Sequence, residues 1–84
     1  MILRNEDRAR YFVMDNAAIR DASISMTARG VLSLITSLLN EDERAVMDSS
    51  HFSDNDTQPE IDLAIGDLLA AGYLTLEGEE LRLK

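Results

Sequence analysis

The hydrophobic period of this chain changes from helical to extended at one residue, Gly72, and that switch limits the folds open to it. Before it, Ile61, Ala64, Ile65, Leu68 and Leu69 recur at three- and four-residue steps, the stripe of an amphipathic helix. After it, Tyr73-Leu74-Thr75-Leu76 and Glu80-Leu81-Arg82-Leu83 alternate around Glu77-Gly78-Glu79, the pattern of a β-hairpin. Thr57-Gln58-Pro59-Glu60 opens the helix, with a threonine cap and a glutamate three residues on. Its proline falls in the first turn, where the N–H it lacks would have no partner. Gly72 itself suits the left-handed stop that ends a helix.

A second long helix is predicted upstream. Ser25 is a good cap, and Met26, Ala28, Val31, Leu32, Ile35, Leu38 and Leu39 form its stripe. Asn40 and Glu41-Asp42-Glu43 end it. Arg44 to Phe52 reads as a shorter helix with Val46, Met47 and Ser50 inward, followed by a turn at Ser53-Asp54-Asn55-Asp56. Near the start, Arg10 to Met14 suits a short strand and Ala17 to Arg20 a helical turn. Residues 1–9 are expected to be a charged N-terminal arm and 10–84 the domain. The expected class is mainly α with a small antiparallel sheet: a winged helix-turn-helix, with a short N-terminal strand, three main helices and a C-terminal hairpin wing.

With 84 residues and no cysteine, the chain buries only about 60–65% of its unfolded surface, and neither disulfides nor cysteine-bound zinc staple it. Stability has to come from packing or self-association. The N-terminus becomes charged at Arg4, unlike a signal peptide, and the longest mainly apolar run, Val31 to Leu39, is far below the ~18 residues of a membrane span. A cytoplasmic protein with no membrane segment is expected.

Catalytic constellations are hard to assemble from these residues. His51 is the single histidine and has no cysteine partner, which excludes a Cys–His pair. Asp48, Ser49 and Ser50 are neighbours in sequence and do not face one another on a helix. The glycines at 30, 66, 72 and 78 form no phosphate loop. Asp54-Asn55-Asp56-Thr57-Gln58 starts like a calcium loop, but Pro59 stands where that loop needs glycine and Ile65 where it needs glutamate. No enzyme activity, cofactor or metal is expected. Met14, Met26 and Met47 read as core filler, and Tyr73 as an anchor of the wing with its hydroxyl near solvent. Gly66, inside a helix, implies something pressed closely against it, either a neighbouring helix or a partner surface.

Two stretches carry a family resemblance. Asp21-Ala22-Ser23-Ile24-Ser25-Met26-Thr27-Ala28-Arg29-Gly30-Val31-Leu32 resembles an opening of phage and actinobacterial helix-turn-helix proteins, and Asp67-Leu68-Leu69-Ala70-Ala71-Gly72-Tyr73-Leu74 resembles their passage into the wing. The resemblance spans about residues 11–76. It implies a winged helix and, usually, DNA binding by replication-initiation proteins or transcriptional regulators. DNA-binding members usually carry Arg or Lys on the third helix and around the wing. Here that helix carries Glu60, Asp62 and Asp67, and the wing tip Glu77, Glu79 and Glu80.

The charge distribution sharpens that departure. Eight basic and sixteen acidic residues give a net charge of −8. Residues 1–30 hold five arginines (4, 8, 10, 20, 29) against four acids (6, 7, 15, 21), so the excess of negative charge lies wholly beyond residue 30. Carboxylates set against phosphates repel. The preferred expectation is therefore a non-catalytic acidic interaction module for a basic protein surface, such as a nucleic-acid-binding complex. Anti-CRISPR and anti-restriction inhibitors of phages act in this way by imitating DNA. Glu60, Asp62, Asp67, Glu77, Glu79 and Glu80 are the expected partner contacts. The alternative is a DNA-binding regulator or replication-initiation domain using Arg4, Arg8, Arg10, Gln58 and Arg82. Dimerisation through Leu63 or the wing is a third expectation.

Overall fold

The computed structural model describes residues 1–5 and 16–83. The elements, in chain order, are strand β1 (Ile2–Arg4), a short helix α1 (Asn16–Ile19), helix α2 (Met26–Glu41), strand β2 (Arg44–Val46), a 3-10 turn (Ser49–His51), helix α3 (Gln58–Ala70), and strands β3 (Leu74–Glu77) and β4 (Glu80–Leu83). Three helices pack with one four-stranded mixed sheet in the order β2-β1-β4-β3.

Both long helices begin where their caps place them. The Ser25 hydroxyl accepts the Ala28 N–H at 3.0 Å. Along α2, Ala28, Val31, Leu32, Ile35 and Leu39 are buried. Thr36 joins them by donating its hydroxyl to the Leu32 carbonyl at 2.8 Å, which satisfies a polar group inside the core. Met26 departs from the expected core stripe: at 100° per residue it falls on the side of α2 opposite the buried Ile35, and it is 75% exposed.

Helix α3 is capped by Thr57, whose hydroxyl accepts the Glu60 N–H at 3.4 Å. The Glu60 carboxylate in turn accepts the Thr57 hydroxyl at 3.0 Å. At the other end, Gly72 takes a φ of +84°, and the N–H groups of Gly72 and Tyr73 donate to the carbonyls of Leu69 and Leu68. This is a Schellman ending, and it sends the chain directly into β3. Gly78 has a φ of +60°, while no non-glycine residue among those described has a positive φ, the requirement of a type II′ hairpin turn.

The first five residues overturn the expected arm. β1 lies between two strands, antiparallel to β2 and parallel to β4. Its flanks are tied as well: Met47 N–H donates to the Met1 carbonyl at 2.8 Å, and Asn5 N–H to the Glu43 carbonyl at 2.7 Å. Leu3 points to the core and is fully buried.

The expected helix over Arg44–Phe52 is replaced by β2 and the 3-10 turn. Pairing with β1 gives this segment a period of two, in which Met47 is buried while Val46 is 56% exposed, and Ser50 is exposed too. The Asp48 carboxylate then accepts from the Ser50 N–H at 2.9 Å and caps the single turn. The sheet is thus mixed and larger than an antiparallel hairpin wing. The strand expected at Arg10 to Met14 lies outside the described residues.

Tyr73 ties the start of the hairpin to the turn before α2. Its hydroxyl donates to Asp21 at 2.7 Å, so it is engaged by a carboxylate instead of facing solvent alone. Ser23 donates to the same carboxylate from its N–H and its hydroxyl. The Ser23 hydroxyl and then the Tyr73 hydroxyl hold the Asp21 pKa below the ordinary carboxylate value.

Two outcomes follow from this architecture. Leu3→Ala should lower stability by about 2–5 kcal/mol in denaturant unfolding, whereas a loose arm would give no change. For Asp21 the folded pKa is depressed, so its contribution is complete above the unfolded value of about 3.9 and is lost as pH falls through the folded value. Tyr73→Phe should move the Asp21 titration, followed by carboxyl NMR shifts, up toward that ordinary value. The stability gap between the two proteins should close in acid.

Candidate functional site

Helix α3 packs one side inward through Ile61, Ala64, Ile65 and Leu68, and the rest of its surface is open. At 100° per residue, Pro59, Leu63, Gly66 and Ala70 fall on the outermost line, and all four are exposed. Glu60 and Asp67 lie along one flank of that line and Asp62 along the other, also exposed. The outward face is therefore a narrow apolar strip between carboxylates.

Leu63 is 72% exposed, as its place off the core stripe requires. Of the two neighbours expected at Gly66, a helix of the chain is not found among the described residues, where a Cβ built at Gly66 meets nothing within 4 Å. A glycine in mid-helix costs about 1 kcal/mol relative to alanine, and no contact within the described fold uses the missing side chain.

Beside Asp62, α3 and the hairpin diverge. A groove of about 200 Å³ opens there, floored by Met1, Ile65, Leu69, Leu76 and Leu81, with Asp62 and Glu79 also lining it. Leu76 is 55% exposed although it sits opposite Leu81 on the core-facing side of the sheet. The cause is that α3 does not extend over the hairpin tip. A second concavity, about 280 Å³, lies between α2 and the 3-10 turn and includes Thr27, His51, Phe52 and Asp56. Two of its polar groups are already engaged: His51 Nδ1 accepts the Asp48 N–H at 3.2 Å, and Asp56 accepts the Ser53 N–H at 3.0 Å. No group of three or more His, Asp or Glu side chains converges as a metal site among the described residues.

The six expected acidic contacts divide into two sets. Glu60, Asp62, Asp67 and Glu79 are exposed, and none pairs with a basic side chain among the described residues. Glu77 and Glu80 belong to the outer face of the sheet. Glu77 pairs with Arg82 at 3.1 Å, and Glu80 is half-buried between Arg4 at 3.5 Å and Arg82 at 3.9 Å.

The expected DNA contacts are dispersed by the same geometry. Strand register sets Arg44, Arg4 and Arg82 in one row across β2, β1 and β4. They point away from the core on which α3 packs, because their neighbours Leu3 and Leu81 are buried. Arg44 was hidden in the sequence by its assignment to a helix. Gln58 donates its amide to Asp62 at 2.8 Å and is occupied. Arg29 donates to the carbonyls of Asp21 and Ile24. Arg8 and Arg10 lie outside the described residues.

Comparison with protein-family models, with curated proteins and with solved structures found no match. No helix of the described chain is long and apolar enough to cross a membrane.

The open surroundings of Gly66 make a direct prediction. Gly66→Ala should raise stability by about 0.5–1 kcal/mol, read as a higher midpoint in denaturant unfolding. A loss of stability would mean that the position is crowded after all.

Proposed function

We propose that the chain is a non-catalytic, winged-helix-like interaction module whose exposed α3 face docks on a basic protein surface. The observation that carries this reading is the face itself. Glu60, Asp62 and Asp67 stand exposed with no basic residue anywhere on α3 and no ion pair among the described residues. Glu77 and Glu80, in contrast, are matched by Arg4 and Arg82. Carboxylates left without an ion pair on both flanks of an open apolar strip suit an oppositely charged partner.

The winged-helix part of the proposal is supported by α2 packing on α3, and by α3 passing through Gly72 directly into a hairpin. It differs from the usual plan in the single 3-10 turn where a positioning helix would stand. A basic surface of this kind occurs on proteins that themselves bind nucleic acid, so a DNA-imitating inhibitor acting in the cytoplasm is the specific form we favour. Direct DNA reading by α3 is disfavoured, because three carboxylates would face a polyanion and Gln58 is tied to Asp62.

Two titrations test the proposal. Duplex DNA at low salt should give no complex; micromolar binding that weakens steeply with salt would overturn the reading. An arginine-rich peptide should bind, and Asp62→Lys with Asp67→Lys should weaken it by about tenfold or more. Glu41→Lys with Asp54→Lys changes net charge equally at exposed sites elsewhere and should have a much smaller effect. Equal losses from the two pairs would remove α3 as the docking face.

A further inference from the structure

The groove beside α3 and the bare helix surface at Gly66 adjoin one another, and packing among the described residues explains neither. Leu76 stays more than half exposed over an apolar floor, and Gly66 omits a side chain where one would meet only open space. Asp62 stands between them, Glu79 lines the far end of the groove, and Asp67 lies beyond the Gly66 line.

We infer that this surface receives an amphipathic helix of the partner, with its apolar side chains in the groove, its backbone close to α3 at Gly66, and Lys or Arg on both flanks. The inference rests on the acidic reading above and specifies its ligand. Three physical arguments select this occupant. A helix laid in a groove uses apolar anchors at three- and four-residue spacing, which matches a floor built from Leu69, Leu76 and Leu81. The separation of two packed helices depends on the side chains at their contact, and a glycine there permits the shortest approach. The carboxylates on either side of the apolar strip require positive charge on both sides of what fills it.

The same carboxylates argue against a second copy of this chain. A two-fold contact would use the same patch on both subunits, so α3 would meet α3 and the carboxylates of one copy would share the contact with those of the other. Repulsion in a partly desolvated contact would oppose that dimer.

The test uses the full chain and a synthetic helical peptide of about 18 residues, with leucine at three- and four-residue steps and lysine on both flanks, followed by fluorescence anisotropy. The counterpart peptide with every lysine changed to glutamate should not bind. Gly66→Gln adds a helix-favouring side chain into open space, so it should keep or raise the unfolding midpoint while weakening the lysine peptide by about tenfold or more. Leu76→Asn, with circular dichroism confirming the fold, should weaken it likewise. If neither variant alters affinity while Asp62→Lys with Asp67→Lys abolishes it, the groove is overturned and the acidic reading stands. If the arginine-rich peptide binds and the leucine–lysine peptide does not, the helix is likewise excluded. A dimer in sedimentation that Gly66→Gln dissolves would make the chain its own occupant and overturn the inference.

Discussion

Strand β1 is shared between β2 and β4, so its backbone groups close two ladders at once, while Leu3 reaches the core between the helices and the sheet. Without it, β2 has no neighbour in the sheet and the hairpin stands alone, and a lone two-stranded hairpin is at best marginally stable in water. The parallel pairing with β4 joins residues almost eighty positions apart, Ile2 with Glu80. Such contacts offset their loop-closure entropy only when the helices between them pack, so sheet and helices depend on each other.

That sheet also decides how charge is distributed. By fixing Arg4 beside Arg82, it places like charges in neighbouring positions, which Glu80 in the adjoining row offsets. Surface pairs of this kind contribute about 0–1 kcal/mol each, so their chief consequence here is to occupy groups that would otherwise face a ligand. Of the six acids expected as contacts, the four left without an ion pair among the described residues, Glu60, Asp62, Asp67 and Glu79, lie on α3 and at the hairpin tip. Negative charge and accessible apolar surface thus coincide on one side of the molecule, where Leu63 and Leu76 are exposed.

The two ends of α3 explain why this surface stays open. The Thr57 cap and the Gly72 turn set the helix length, and the hairpin that follows extends past the region the helix covers. Burial of one stripe is enough to hold α3 in place through Leu68 and Ile61. The remaining face can therefore carry carboxylates and a glycine at little expense to the core.

The capping residues, the stripes of α2 and α3, the Gly72 stop and the hairpin were legible in the sequence because each is a local matter of backbone bonds and apolar period. So was the acidic character of α3, since residues on one helix share a surface whatever packs behind it. The roles of Ile2–Arg4 and Arg44–Val46 were not legible. Three-residue strands have too short a pattern to reveal a period of two, and only pairing with each other and with β4 makes them strands. Glu77 and Glu80 likewise looked equivalent to Asp62 until strand register set them beside Arg82 and Arg4. Sequence alone determined which charges this chain carries and where α2 and α3 begin and end. Tertiary structure decided which charges meet partners within the molecule, because that depends on distances across the sheet that no local pattern encodes.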